Sequence, residues 1–378
     1  MNTSLGIYFH VPFCATRCDF CAFYEQVPRR SQIERYLAAM ERAWRDIPLD
    51  RAPTTAFWGG GTPGLLTAKD LYRLGNLLLD RLEQPLEEWT VEMAPATVKA
   101  DKVAALRELG VNRISLGVQS FQPRLLEALG RRQSAGQVER AIDRLRTAGI
   151  GNLNLDLIIA IPGQQQADLL SDLHRAIALE PEHLSTYMLT FEEDTALYHR
   201  LHQGGLEAWA EEEEAAAYTV TCEVLAAAGY HQYEIANHAR PGYTCRHHCN
   251  TWTMAEWIGV GPSAASQYQG RRYNQIADLN AWADGVTSGR AVLSDQVTLT
   301  PALLAADSLI FGLRMNRGVD LASLERRFPE VEWPVLSPLW HRLEAEGLLQ
   351  HNSPTQVCLT PQGRLFADFV GREVLAAF

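Results

Sequence analysis

The sequence predicts an α/β protein: a parallel sheet built from successive β/α units, followed by a small helical domain with a hairpin. Three observations lead there. Over the first 190 residues, short strand-like runs alternate with longer segments whose apolar residues recur at helical spacing. Such alternation calls for parallel strands joined by right-handed crossovers. Six units can be counted, whereas a closed barrel needs eight. From about Thr298 the alternation gives way to helices.

In chain order, strands are predicted over residues 6–11, 55–58, 90–93, 113–118, 152–159 and 184–189, with amphipathic helices over 32–44, 68–82, 137–148 and 167–178. The run Glu211-Glu212-Glu213-Glu214 reads as the solvated face of an Ala-rich helix. Beyond Thr298, helices are expected over 299–313, 321–328 and 333–346, then a hairpin from 347–350 and 357–360, then a last helix. Helices followed by a hairpin wing suggest a winged-helix-like module. Residues 299–378 carry seven Arg, no Lys and nine Asp or Glu, which leaves no electrostatic footprint for a duplex. The module is expected to be a lid or docking domain over an open barrel. The chain thus divides into 1–195, a connecting α/β extension over 196–297, and 298–378.

The composition excludes several classes. A net charge of −11 argues against nucleic acid as a partner. No run of 18 apolar residues is present to span a membrane. The first residues run directly into a strand-like segment, against a signal peptide. Seven cysteines, three of them clustered, suit a reducing compartment, so a cytoplasmic protein is expected. At 378 residues with 47% hydrophobic content, the chain can bury a substantial core.

The clustered cysteines are Cys14, Cys18 and Cys21, spaced C-x3-C-x2-C. A [4Fe–4S] cluster ordinarily takes four thiolates, one per iron. A loop offering three leaves one iron free for another ligand. Structural zinc sites usually come as two ligand pairs, and no second pair follows here. Three clustered cysteines cannot all pair as disulfides. A cluster with one differentiated iron is the expectation.

That spacing just after a first strand resembles the radical S-adenosylmethionine (SAM) superfamily. The resemblance implies an open, partial (β/α)6 TIM-like barrel in place of a closed one. It also implies that the free iron chelates the amino and carboxylate groups of SAM. One electron then splits the sulfonium into methionine and a 5′-deoxyadenosyl radical, the cofactor carrying the hard chemistry. An external donor such as a flavodoxin or ferredoxin is implied as the electron source.

Other candidate residues fall at or near the C-terminal ends of the predicted strands, where parallel barrels place their chemistry. Gly59-Gly60-Gly61-Thr62-Pro63 follows the second strand, Glu92 ends the third, Gln119 the fourth, Arg131 follows, and Asp156 lies within the fifth. A charge inside an apolar strand is costly unless paired or serving a ligand. Glu92 and Asp156 therefore read as site residues, with structural ion pairing as the alternative. Arg131 could serve either carboxylate or that of SAM.

The strings Tyr8–Cys14, Gly59–Pro63, Arg113–Phe121, Asn154–Ile158 and Gly259–Ala264 resemble the oxygen-independent coproporphyrinogen oxidase group over nearly the whole chain. That resemblance implies SAM contacts at Tyr8, Gly60, Gly61, Thr62, Glu92, Gln119, Arg131 and Asp156. The group contains coproporphyrinogen III decarboxylases, HemW-type haem chaperones, and HemN-like methylases or cyclopropanases. The decarboxylase has a further cysteine two positions after the third cluster ligand, where this chain has Phe23, and a long segment before the cluster, where this sequence has thirteen residues. Both features, with the strings Ala239–Tyr243 and Arg246-His247, are similar to the HemW-type chaperones. Their haem-associated H-N-x-x-Y-W motif aligns with His247-His248-Cys249-Asn250-Thr251-Trp252, in which Asn is replaced by His and Tyr by Thr. His247, His248 and Cys249 are the candidate haem ligands; the alternative is a solvated polar connection. A chaperone that binds haem or a porphyrin and hands it to an acceptor protein is expected, with coproporphyrinogen III oxidation or SAM-dependent methylation as the alternatives.

Overall fold

Six β/α units open the computed structural model, which describes residues 4–290 and 292–378. Residues 1–3 of the expected first segment, and Ala291 of the second, lie outside the described residues. Strand β1 (Leu5–Val11) leads to α1 (Arg30–Asp46), β2 (Thr55–Gly60) to α2 (Ala68–Leu79), and β3 (Glu88–Met93) to α3 (Ala100–Leu109). Strand β4 (Arg113–Gln119) leads to α4 (Pro123–Ala128) and α5 (Ala135–Thr147), and β5 (Asn152–Ile159) to α6 (Gln166–Ala178). Strand β6 (His183–Met188) leads to α7 (Ala196–His202) and α8 (Glu211–Ala227). The acidic run forms the first turn of α8, where carboxylates favour the positive end of the helix dipole.

Residues past α8 extend the same sheet on both edges. They form β7 (His231–Gln232), β8 (Asn237–Ala239), α9 (Arg246–Trp252), β9 (Glu256–Val260), β10 (Ala265–Tyr268), β11 (Arg271–Gln275), α10 (Leu279–Ser288) and β12 (Leu293–Thr298). The twelve strands run β12-β11-β10-β9-β1-β2-β3-β4-β5-β6-β8-β7. Strand β9 pairs parallel with β1, from Leu5 opposite Glu256 to Phe9 opposite Val260. It adds a seventh parallel strand beside the six expected. The remaining additions are antiparallel. No described helix is long and apolar enough to cross a membrane.

The strands alternate with period 2, and this sets the character of the barrel. On the outer face Phe9 stacks on Trp58, which meets Trp89 edge-on, and Phe9 also packs edge-on against Trp44 of α1. Ile114, Leu116, Leu153, Leu155 and Leu184 continue that buried apolar layer under the helices. The opposite face turns into the barrel and is largely polar: Thr90, Arg113, Ser115, Asn154, Asp156, His183 and Ser185 hydrogen-bond to one another from strand to strand. A closed TIM barrel fills this space with branched apolar side chains. Here Tyr187, on that face, is 39% accessible.

The last segment has its own core of Leu309, Leu313, Leu336, Leu343, Val357 and Val374 among others. It comprises α11 (Pro301–Leu313), β13 (Val319–Asp320), α12 (Leu321–Arg327), α13 (Ser337–Ala345), β14 (Leu349–His351), β15 (Gln356–Leu359), α14 (Pro361–Leu365) and α15 (Ala367–Ala376). The expected hairpin is β14–β15, joined by β13 into a three-stranded sheet. Its docking differs from a lid over the strand ends. Asn316 bonds to Gln232 and Tyr233, Met315 bridges to Glu234, Asp307 pairs with Arg272, and Phe311 packs on Trp252. These contacts seat the domain against α9, β11 and the β7–β8 hairpin, whose free backbone carbonyls Asn316 satisfies.

Candidate functional site

The loop after β1 is shaped before any ligand enters it. Cys14 N–H donates to Gln26 O at 3.0 Å, Gln26 N–H to Pro12 O at 2.7 Å, and Cys21 N–H to Cys18 O at 3.2 Å. Asp19 N–H donates to Leu129 O and Asp19 O accepts from Leu197 N–H, pinning the loop to the residues after α4 and to α7. The three thiols are partly exposed and free. Burial pushes the Cys14 thiol up to about 12 and raises Cys21 as well. Binding of a metal cluster must therefore release protons from this loop. Among the described residues, no three His, Cys, Asp or Glu side chains converge as needed for a single metal ion. A [4Fe–4S] core asks for a different arrangement, one thiolate on each of three irons. Three thiols from one loop, with Thr62 Oγ1 3.7 Å from Cys14 Sγ, fit that core and leave its fourth iron to another ligand.

The turn after β2 faces the loop. Gly61 N–H donates to Val11 O and Thr62 N–H to Phe13 O, so the turn is stitched to the start of the cysteine loop. Gly60 has φ +96°, and a Cβ there would sit 2.3 Å from the His10 ring; only glycine fits. A Cβ on Gly59 would meet the Glu92 carboxyl at 2.8 Å. Glu92 accepts the Gly60 N–H, yet burial and then the nearby Asp156 hold its pKa up at about 8. Asp156 is raised too, by burial, against bonds from Asn154 Nδ2 at 2.8 Å and Ser115 Oγ at 3.1 Å. Among the described residues neither carboxylate makes a direct ion pair; buried Arg113 acts on both only at longer range, leaving their oxygens open to a ligand's cation.

Tyr8 completes this wall. Its hydroxyl is 3.2 Å from His10 Nδ1, and burial followed by Glu92 raises its pKa. Gln119 ends β4 at φ +64°, beside an irregular register between β4 and β5. Non-glycine residues seldom adopt that conformation, and such strain clusters at functional sites. Arg131 donates from Nη1 to Gly117 O at 2.9 Å and lies 5.9 Å from the Phe20 ring of the cysteine loop. Its Nε has no partner. Arg131 thus stands between the cysteine loop and β4, bonded to neither carboxylate.

The structure places the candidate haem residues elsewhere. Helix α9 caps the floor of the barrel, where the strands begin. Glu88, the first residue of β3, accepts N–H bonds from Arg246 and His247. His247 Nδ1 lies 2.9 Å from Thr55 Oγ1, and its ring, 5% exposed, packs against Phe57. His248 stacks on the same Phe57 at 5.2 Å, with burial driving its pKa down to about 3. Cys249 instead lines an outer cavity of about 260 Å³ with Thr54, Arg246 and Asn250. Glu88 and Glu92 are four residues apart on one strand, on the order of 13 Å. The three residues therefore lie a barrel's depth from the cysteine loop, with His247 and His248 both against Phe57 and Cys249 facing the outer cavity.

The chain and its fold are similar to known proteins. Residues 8–176 match the radical SAM superfamily, and residues 299–366 match the HemN C-terminal domain. The fold is similar to coproporphyrinogen III oxidase (HemN) from Escherichia coli, with a TM-score of 0.84 at 23% identity over 98% of this chain and 90% of that one. In sequence, the chain is 32% identical to the heme chaperone HemW of Bacillus subtilis over 98% of both chains. It is 33% identical to that of Mycobacterium tuberculosis over 98% of this chain and 94% of the relative. An open parallel barrel with three loop cysteines facing a glycine turn defines a radical SAM protein. Within that class, the chain belongs to the HemW family.

Proposed function

We propose that this protein is a haem chaperone that carries a [4Fe–4S] cluster and SAM, and that it passes haem to an acceptor protein in the cytoplasm. The similarity to heme chaperones over 98% of the chain carries this reading; Phe23, at the position of the decarboxylase's additional cysteine, agrees with it. Cys14, Cys18 and Cys21 hold the cluster. Tyr8, Gly60, Gly61, Thr62, Glu92, Gln119, Arg131 and Asp156 hold SAM.

When bound, the reduced cluster would supply one electron to the SAM sulfonium, with a flavodoxin or ferredoxin as its external donor. The chain's own contribution is placement. The turn offers backbone N–H groups unobstructed by side chains, Glu92 and Asp156 offer negative charge to the cationic groups of SAM, and Arg131 offers a cation to its carboxylate. Haem is taken by the α9 region, with His248, whose ring stacks on Phe57, and Cys249, whose thiol lines the outer cavity, as the ligands.

The test is a haemin titration run beside an anaerobic incubation with SAM, dithionite and coproporphyrinogen III. A sharpened Soret band without porphyrinogen turnover is expected. A flat titration together with decarboxylation would replace the chaperone reading with the oxidase; SAM-dependent methyl transfer to a porphyrin would replace it with a methylase.

A further inference from the structure

The polar lumen contains a hydrogen-bond chain whose direction can be worked out atom by atom. Asn154 Nδ2 donates to Asp156 Oδ1 at 2.8 Å and to Ser115 Oγ at 2.7 Å. With its amide hydrogens so used, Asn154 Oδ1 must accept, and it receives the His183 Nδ1–H at 2.6 Å, while the single Ser185 hydroxyl proton goes to Asn237 Oδ1 at 2.7 Å. His183 therefore carries its proton on Nδ1. Its Nε2, 2.8 Å from the Tyr233 hydroxyl, must then accept from that O–H. The Tyr233 oxygen in turn accepts the Cys245 N–H at 3.3 Å, at the start of α9. Ser115 sends its own hydroxyl proton to Asp156 Oδ2 at 3.1 Å.

Every donor in this chain points toward Asp156. Bonds aligned in one direction polarise each other and strengthen the last acceptor contact, most of all away from water. His183 is fully buried, and burial followed by Arg113 keeps its imidazole neutral, as the assigned tautomer requires. Tyr233 is fixed from the far side, since its carbonyl accepts the Asn316 N–H of the C-terminal domain at 2.9 Å.

We propose that His183 and Tyr233 are positioning residues for Asp156: they orient its carboxylate for SAM and couple SAM occupancy to the order of α9. This rests on Asp156 being a SAM contact. By reciprocity, a ligand that tightens the chain at Asp156 must steady its other end at Cys245. The charged and titratable groups facing Asp156 are Glu92 from β3, Arg113 from β4 and Tyr187 from β6; Ser115, Asn154 and Ser185 supply its neutral neighbours. None of these is altered by Tyr233→Phe, which keeps the ring and removes the donor to His183 together with the acceptor of the Cys245 N–H.

The experiment compares full-length, cluster-reconstituted wild-type, Tyr233→Phe, His183→Gln and Asp156→Ala proteins. SAM affinity is measured from pH 6 to 9, and hydrogen exchange of residues 245–252 is followed with and without SAM. Tyr233→Phe should weaken SAM about fivefold, the scale of one net hydrogen bond. It should also move the pH midpoint of SAM binding upward and abolish SAM-dependent protection of α9. Wild-type affinity, pH profile and protection in Tyr233→Phe, with Asp156→Ala impaired, overturn the inference while leaving the SAM site intact. Undiminished SAM binding in Asp156→Ala overturns both. His183→Gln, if it folds, should reproduce the Tyr233→Phe phenotype; normal pH dependence in a folded His183→Gln counts against the chain.

Discussion

Asp156 lies close enough to Glu92, at the mouth of the barrel, to help burial hold the Glu92 carboxyl protonated up to about pH 8. The sign of the resulting pH dependence follows. An ordinary glutamate titrates near 4.5, so between there and about 8 the folded chain holds a proton that the unfolded chain has lost. Stability should fall as pH rises across that window and level off above it. A cation binding beside Glu92 favours the carboxylate and expels the proton. SAM affinity should therefore rise from pH 6 to 8, by at most about tenfold per unit. Calorimetry in two buffers of different ionisation heat would register the released proton; a pH-independent affinity would refute the assignment.

Glu92→Ala, Arg131→Ala and Asp156→Ala should each weaken SAM binding and leave the cluster in place. Loss of one charge-assisted contact costs about 1.5–3 kcal/mol, or tenfold and more in affinity. Equilibrium binding with iron content measured alongside checks this. Unchanged affinity in all three would make these residues structural.

Replacing Cys14, Cys18 or Cys21 with Ala should abolish the broad visible absorption of a protein reconstituted with about four irons and four sulfides. Cys222, Cys245, Cys249 and Cys358 should be dispensable for it. A full cluster in any of the first three variants would sink the ligand assignment.

His247 and His248 should separate by experiment. Removing His247 strands Thr55 Oγ1 and empties a packed position against Phe57, so His247→Ala should cost about 2–3 kcal/mol of stability, read as a lowered Tm. His248→Ala breaks no side-chain hydrogen bond seen here and should cost less. If His248 ligates haem, its variant should lose the sharpened Soret band at temperatures where it remains folded. The titration should reach tens of micromolar haemin, about −6 kcal/mol. Equal haem binding by wild type and His248→Ala would remove His248 from the ligand set.

Much of the barrel was legible in the sequence because its signals are local. The strand expected over 152–159 is β5 itself, and the other five expected strands agree within two residues at either end. Short apolar runs between amphipathic helices have few other solutions. The cysteine spacing was legible for the same reason, since one loop carries all three thiols. A further signal went unread. The alternation in Asn152-Leu153-Asn154-Leu155-Asp156 and His183-Leu184-Ser185 already separates a polar inner face from an apolar outer one, and it points to Ser115, Asn154 and His183 beside Asp156.

By itself, then, the sequence determined the β/α order, the cysteine loop and the glycine turn, because each depends on residues within a few positions of one another. Tertiary structure alone decided that β9 pairs with β1, some 250 residues away, and that the C-terminal domain docks against α9 and the β7–β8 hairpin. It also decided that His247 and His248 sit at the floor, a barrel's depth from the cysteines. Those outcomes come from long-range pairing and from buried polar groups seeking partners, such as Glu88 with the first amides of α9. No local pattern encodes which distant strand or helix will provide them.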